Sequence, residues 1–159
     1  MMMMDMETFK IGITGTRSGM NIDQLESFRE RMKTMYDISC EKARNISLEF
    51  HHGDCVGVDV QAAEVARVMG IHTVCHPPVD ERLRAHHNSD VILEQKTHFA
   101  RNRDIVDSVQ LLLVIPFQTS HSSTGGTWYT HDYAVKKGVP VEILWPMSEH
   151  IQQLTKQGR

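Results

Sequence analysis

Leu111-Leu112-Leu113-Val114-Ile115 is a run of five apolar residues without a polar interruption. A strand that is apolar on both of its faces belongs in the middle of a sheet covered by helices on both sides. Its surroundings agree. His98 to Ser108, with Phe99, Ile105 and Val106 apolar, has helical spacing and precedes it. The small-residue loop Ser122 to Thr130 follows it, and a further helical segment runs from about Thr127 to Lys137 and ends at Gly138. Helix, buried strand, loop and helix make one period of an alternating α/β chain.

The alternation extends in both directions. Phe9 to Thr14 predicts a strand that runs into the polar loop Gly15-Thr16-Arg17-Ser18-Gly19. Asn21 or Asp23 is placed to cap the next helix, in which Ile22, Leu25, Phe28, Met32, Met35 and Tyr36 form one core-facing stripe at spacings of three and four. Ile46 to Phe50 reads as a second strand that stops at His51. Ala62, Ala63, Val65, Ala66, Val68 and Met69 give a small-residue helix closed by Gly70. Ile71 to His76 is a third strand, ended by Pro77-Pro78. Residues 79–97 are polar and irregular, and predict a loop with a short helical turn that acts as a lid over a pocket. Val139 to Trp145 is the last strand, with Pro140 at its entrance. The expected fold class is α/β: a doubly wound, mainly parallel sheet with helices on both faces. Residues 9–147 read as one domain, 1–8 as a disordered N-terminus, and 148–159 as a short C-terminal helix or tail.

Composition narrows the function classes. A length of 159 residues suits one domain with a proper core. No apolar run approaches the roughly 20 residues that cross a bilayer, and the Met1–Met4 run lacks a following apolar core or cleavage signature, so a cytoplasmic protein without a signal peptide is expected. A formal charge of −3 and a pI near 6.3 argue against a general nucleic-acid surface. The cysteines Cys40, Cys55 and Cys75 form no CxxC pair and read as free thiols. The histidines are scattered without zinc spacing, so neither a metal nor a cofactor is expected.

Four polar segments fall at strand ends, where ligands of doubly wound sheets bind. They are Gly15-Thr16-Arg17, the stretch Gly53-Asp54 through Gly57 and Asp59, Arg101-Asn102-Arg103, and Thr124-Gly125-Gly126-Thr127. The first has neither GxGxxG spacing nor the GK[ST] of a P-loop. Together they supply glycines for close backbone approach, cations for phosphate and carboxylates for sugar hydroxyls. The two glycines before the last helix, with that helix's free N–H groups and positive dipole end, suit an anion. The bland readings are a tight turn at Gly53 and Gly57, Asp59 as a helix cap, and Arg101 and Arg103 as a solvated helix face. Trp128 and Tyr129 read as packing residues, one of which is able to stack on a base.

In order, "ITGTR", "HGDCVGVD", "ARNRDIVD" before "LLLVIP", and "STGGT" resemble the SLOG superfamily of Rossmann-like proteins. That superfamily includes DprA, the Lonely Guy phosphoribohydrolases, molybdenum cofactor carriers and the short stand-alone YspA-like proteins, and this chain is nearest to the last. The resemblance spans Ile13 to Trp145. It implies a nucleotide or nucleotide-derived ligand, bound as by a sensor or carrier, and a homo-oligomer. Against the phosphoribohydrolases, Arg101 stands where their Arg precedes the buried strand, and Gly126-Thr127 match their Gly-Thr after a longer loop, Phe117 to Thr124. Their Glu position holds Thr130. Cleaving an N-glycosidic bond calls for a carboxylate, so binding is the expected function, with Arg101 catalytic only in the alternative of a nucleoside monophosphate phosphoribohydrolase. Asp54, Asp59 or Asp132 is left to replace the Glu in that alternative. Single-stranded DNA handling ranks third and molybdenum cofactor carriage fourth.

Overall fold

The computed structural model describes residues 6–41 and 43–147, so the expected C-terminal helix or tail lies outside the described residues. Six strands form one sheet: β1 (Glu7–Gly15), β2 (Ile46–His52), β3 (His72–Cys75), β4 (Val91–Ile92), β5 (Leu111–Ile115) and β6 (Val141–Ile143). Four helices connect them: α1 (Ile22–Ser39), α2 (Val58–Val68), α3 (His98–Ser108) and α4 (Gly126–Lys137). The spatial order is β4-β3-β2-β1-β5-β6, and every pairing is parallel. The chain builds outward from β1 to β4, returns to the other side of β1 for β5, and ends at β6. Strand order therefore reverses between β1 and β5.

Strand β5 shows why the apolar run was decisive. Its side chains alternate between two cores. Leu111, Leu113 and Ile115 pack with Ile11, Ile13, Phe28, Met32 and Phe50 beneath α1 and α2. Leu112 and Val114 pack with Ile105, Val106 and Ala134 beneath α3 and α4. A sheet covered on both faces needs just this double set of apolar positions, and each fully buried side chain of this size contributes about 1.5–3 kcal/mol.

Several boundaries differ from the sequence reading. β1 begins at Glu7, two residues before Phe9, and β2 continues through His51 and His52, whose rings are buried. In α1, Asn21 is the cap and forms a reciprocal capping box with Gln24. Ile22 is exposed, and it is Gln24 that faces inward, its Nε2 donating to the carbonyls of Pro116 (2.9 Å) and Leu144 (3.1 Å). A polar residue holds this stripe position because two loop carbonyls there need a donor.

Residues 79–97 contain a 3₁₀ turn at Glu81–Leu83 and then β4, paired with Val74 and Cys75 of β3. The segment is fastened to the β2–α2 loop: Val56 N–H donates to Leu83, Ala85 N–H to Asp54, and Cys55 bridges Arg84. It covers the sheet edge next to β3. None of its residues lines the cavity described below, which departs from the expectation of a lid; it meets the wall of that cavity from behind, through the bridge of Arg84 to Cys55.

Candidate functional site

β1 and β5 end side by side at the reversal of strand order. A cavity of about 530 Å³ opens there, lined from β1 by Thr14, Gly15, Thr16 and Arg17 and from the β2–α2 region by Cys55 and Asp59. Its remaining walls are His98, Phe99, Arg101 and Asn102 of α3, Phe117 and Gln118 after β5, and Thr124 to Trp128 at the start of α4. Most of the residues put forward from the sequence thus meet in one crevice: Gly15, Thr16, Arg17, Asp59, Arg101, Asn102, Thr124, Gly125, Gly126 and Thr127.

The floor is shaped by close backbone approach. Thr16 N–H donates to Ile115 O (3.0 Å) and Val58 N–H to Thr16 O (3.1 Å), which lays the β1–α1 loop across the start of α2. Gly57 permits this: its φ is +91°, and a Cβ there would lie 2.4 Å from Arg17 O. Gly57 is therefore a packing residue beneath the loop, outside the cavity lining. Arg17 itself is exposed, and its guanidinium makes no ion pair among the described residues.

Arg101 is buried, and its donors are nearly all engaged by neutral acceptors. Nη1 donates to the carbonyls of Gly53 and His76, Nε to Asn102 Oδ1 (2.8 Å), and Nη2 lies 3.1 Å from His98 Nδ1 and 3.6 Å from Cys55 Sγ. The solvated-face reading of Arg101 is wrong. It is a fixed positive charge at the cavity wall, clamped to the ends of β2 and β3. Arg103, by contrast, points outward and donates to Tyr129 Oη at 2.9 Å.

Asp59 is buried in the first turn of α2, and its Oδ2 accepts from Cys55 N–H at 3.4 Å. It is not the helix cap, which is Gly57. Burial pushes its carboxyl up to about 6, a rise that the Arg101 charge only partly opposes. The Cys55 thiol is also pushed up, first by burial and then by the Asp59 charge.

At the other end, Gly125 precedes α4 with φ +94° and no side-chain cap. The first intrahelical bond runs from Tyr129 N–H to Gly125 O (3.0 Å). The N–H groups of Gly126, Thr127 and Trp128 therefore have no acceptor within the helix and stand at the cavity with the positive end of the dipole. Trp128 is buried, and its Nε1 donates to Gln118 Oε1 (3.1 Å), so it packs and fixes the β5–α4 loop. Thr130 is buried too, with Oγ1 donating to Gly126 O (2.8 Å) inside the helix.

Asp54 and Gly53 stand elsewhere than the sequence reading put them. Asp54 is fully buried; its carboxylate accepts from Arg84 Nε (3.0 Å) and His87 N–H (2.9 Å), which anchor the 79–97 segment. Gly53 lies under Arg101 and serves to let the guanidinium pass. Neither lines the cavity.

Two aromatic residues were missed as wall elements: Phe99, 54% exposed, and Phe117, 68% exposed. Phe99 rests on the Tyr129 ring with 4.4 Å between centroids. Their one signal in the sequence is a large aromatic next to a predicted loop; Phe99 reads there only as an apolar residue of the helix His98 to Ser108.

His52, Asp54 and Cys75 bring three metal-type donors together. Their atoms are already committed. His52 Nδ1 accepts Asp54 N–H (3.1 Å), its Nε2 is hydrogen-bonded to Ser89 Oγ (2.7 Å), and Asp54 is held by Arg84. Burial and the neighbouring Asp54 push the Cys75 thiol up to about 12, so it keeps its proton.

Fold and cavity define a Rossmann-like α/β domain with a polar crevice at its topological switch point. No family model and no curated protein matches the chain. Among solved structures, the molybdenum cofactor binding protein of Rippkaea orientalis has a similar fold, with TM-score 0.63 and 18% identity over 87% of this chain and 77% of that one. DprA of Streptococcus pneumoniae aligns with TM-score 0.61 and 17% identity over 94% of this chain. The chain spans only 56% of the length of that DprA. DprA of Helicobacter pylori, described with a single-stranded DNA binding mode, gives TM-score 0.54 and 15% identity over 94% and 73%. At 15–18% identity these likenesses show a shared fold.

Proposed function

We propose that the crevice binds a nucleotide or nucleotide-derived ligand, whose phosphate sits on the N–H groups of Gly126, Thr127 and Trp128. One observation carries the reading. An uncapped helix N-terminus and Arg17, which has no ion pair among the described residues, face the same 530 Å³ cavity beside the buried charge of Arg101, and such donors suit a phosphate. Asn102 and Asp59 then meet sugar hydroxyls, and Phe99 and Phe117 offer faces to a base. Calorimetric titration against nucleoside mono- and diphosphates, cyclic nucleotides, ADP-ribose and single-stranded DNA tests it. Folded protein that gives no heat with any nucleotide overturns it, and heat with DNA alone moves the function to DNA handling.

Asp59 favours a second reading, hydrolysis of an N-glycosidic bond. Of the three carboxylates able to replace the missing Glu, Asp54 is held by Arg84 and Asp132 by His121 and His131, while Asp59 faces the cavity. A carboxyl pushed up to about 6 is in the range useful for general acid–base work. Chromatography of nucleoside monophosphates after incubation should then show free base, and Asp59→Asn should abolish it. No free base with the wild-type chain removes this reading and leaves binding in place.

A further inference from the structure

The β5–α4 loop and α4 bring a second set of donors together on the outer side of Trp128. His121 Nε2 lies 2.8 Å, and His131 Nδ1 2.7 Å, from the same oxygen, Oδ1 of Asp132. We propose that His121, His131 and Asp132 form a binding site for a divalent transition-metal ion of the zinc type.

The three ligand atoms lie within 4.8 Å of one another and come from two chain segments. Two neutral imidazoles and one carboxylate carry a charge of −1, which suits a dication. Imidazole donors favour zinc, nickel or copper over magnesium and calcium. Nitrogen and oxygen ligands sit about 2.0–2.2 Å from zinc, so an ion among the three atoms requires only a small outward movement of the rings. Each imidazole nitrogen that faces Asp132 now donates its proton to Oδ1. When an ion takes that place, the proton passes to the other ring nitrogen, so a neutral ring stays neutral.

The rings are also held in place beforehand. His121 and His131 both lie against the indole of Trp128, at 4.8 and 5.1 Å between centroids, and Trp145 backs that indole at 5.8 Å. Prior placement of ligand side chains lowers the entropy lost on binding. A cavity of about 320 Å³ beside them, lined by Ser120, His121, His131 and Trp145 among others, leaves room for water at an open coordination position. His121 sits in the loop that brings Phe117, Gln118 and Thr124 to the larger crevice, so the ion would staple that loop to α4.

The metal-free full chain is titrated with Zn²⁺ by calorimetry and with Cu²⁺ by tryptophan fluorescence, which reads the site directly because Trp128 and Trp145 are the chain's two tryptophans. A one-to-one saturable heat and strong quenching are expected, with no competition from Mg²⁺. His121→Gln and Asp132→Asn should each weaken binding by at least about tenfold without changing the circular dichroism. His86→Asn, at an exposed imidazole outside the cluster, should leave it unchanged. Absence of saturable Zn²⁺ heat, or wild-type affinity in both cluster variants, overturns the site.

Discussion

Arg101 passes over Gly53 so closely that its Nη1 donates to the glycine's own carbonyl, and a Cβ on Gly53 would lie 2.6 Å from that nitrogen. The same Cβ would lie 2.9 Å from Asp59 Oδ2. One missing methyl group therefore lets a buried cation and a buried carboxyl share the cavity wall. Gly53→Ala is expected to displace the guanidinium at a cost of about 1–3 kcal/mol, the usual range for overpacking. A urea midpoint measures the loss, and ligand affinity should fall with it. An unchanged midpoint would show that Arg101 has another resting place.

Asp54 and Asp59 are five residues apart and have opposite assignments. Asp54→Asn weakens a buried pair with Arg84, whose side chain is 13% exposed against 0% for Asp54. Removing one partner of such a pair costs about 3–5 kcal/mol; Asn keeps some hydrogen bonding, so the lower end is expected. Because Asp54 is outside the cavity, affinity of the folded variant for a ligand should be unchanged. Denaturation and calorimetry on the same sample separate the two effects.

Acid should unfold this protein through its buried imidazoles. Burial lowers His52 to about 3 and His76 to about 4, from an ordinary value of 6.5. The unfolded chain takes up these protons first as pH falls below 6.5, so the stability held above that pH is lost on the way down. By pH 5 the two together cost on the order of 4 kcal/mol, at about 1.4 kcal/mol per pH unit for each. Denaturant midpoints at pH 7 and pH 5 give the loss.

Asp59 acts with the opposite sign. Its folded value of about 6 exceeds the ordinary 3.8, so between those values the folded chain holds a proton that the unfolded chain has released. Its contribution to stability is present below pH 4 and disappears as pH rises through 6, by on the order of 3 kcal/mol. Asp59→Asn removes this opposing slope. The variant should gain stability relative to wild type at pH 7 and lose it more steeply toward pH 5.

Much of this was legible before the structure, for identifiable reasons. Leu111–Ile115 announced a sheet covered on both faces because consecutive side chains of a strand point to opposite faces, and here both sets are apolar. The crevice residues were legible because glycines, hydroxyls and cations at strand ends fall where a doubly wound sheet leaves its opening. The direction of individual side chains was not legible. Asp54 and Asp59 look alike in "HGDCVGVD", and only the packing of Arg84 against one and Arg101 near the other separates them. The attachments of the 79–97 segment were not legible because they join residues far apart in sequence: backbone hydrogen bonds to Asp54 and Val56, and the Asp54 carboxylate with Arg84 and the His87 N–H. Gln24 escaped for a related reason: its inward position depends on the carbonyls of Pro116 and Leu144, distant in sequence.

Phe117 offers the cleanest separation of binding from stability. Its ring is 68% exposed at the cavity, so the fold gains little from it, and Phe117→Ala should change stability by no more than about 0.5 kcal/mol. A base that stacks on the ring loses about 1–3 kcal/mol when it is removed, which is roughly a five- to 140-fold weaker affinity. Phe99→Ala should act in the same direction with a larger stability cost, because Phe99 also packs on Tyr129. Calorimetry with whichever nucleotide binds the wild-type chain reads both. Should both variants bind as tightly as wild type, the base lies elsewhere and the phosphate cradle of α4 alone accounts for affinity.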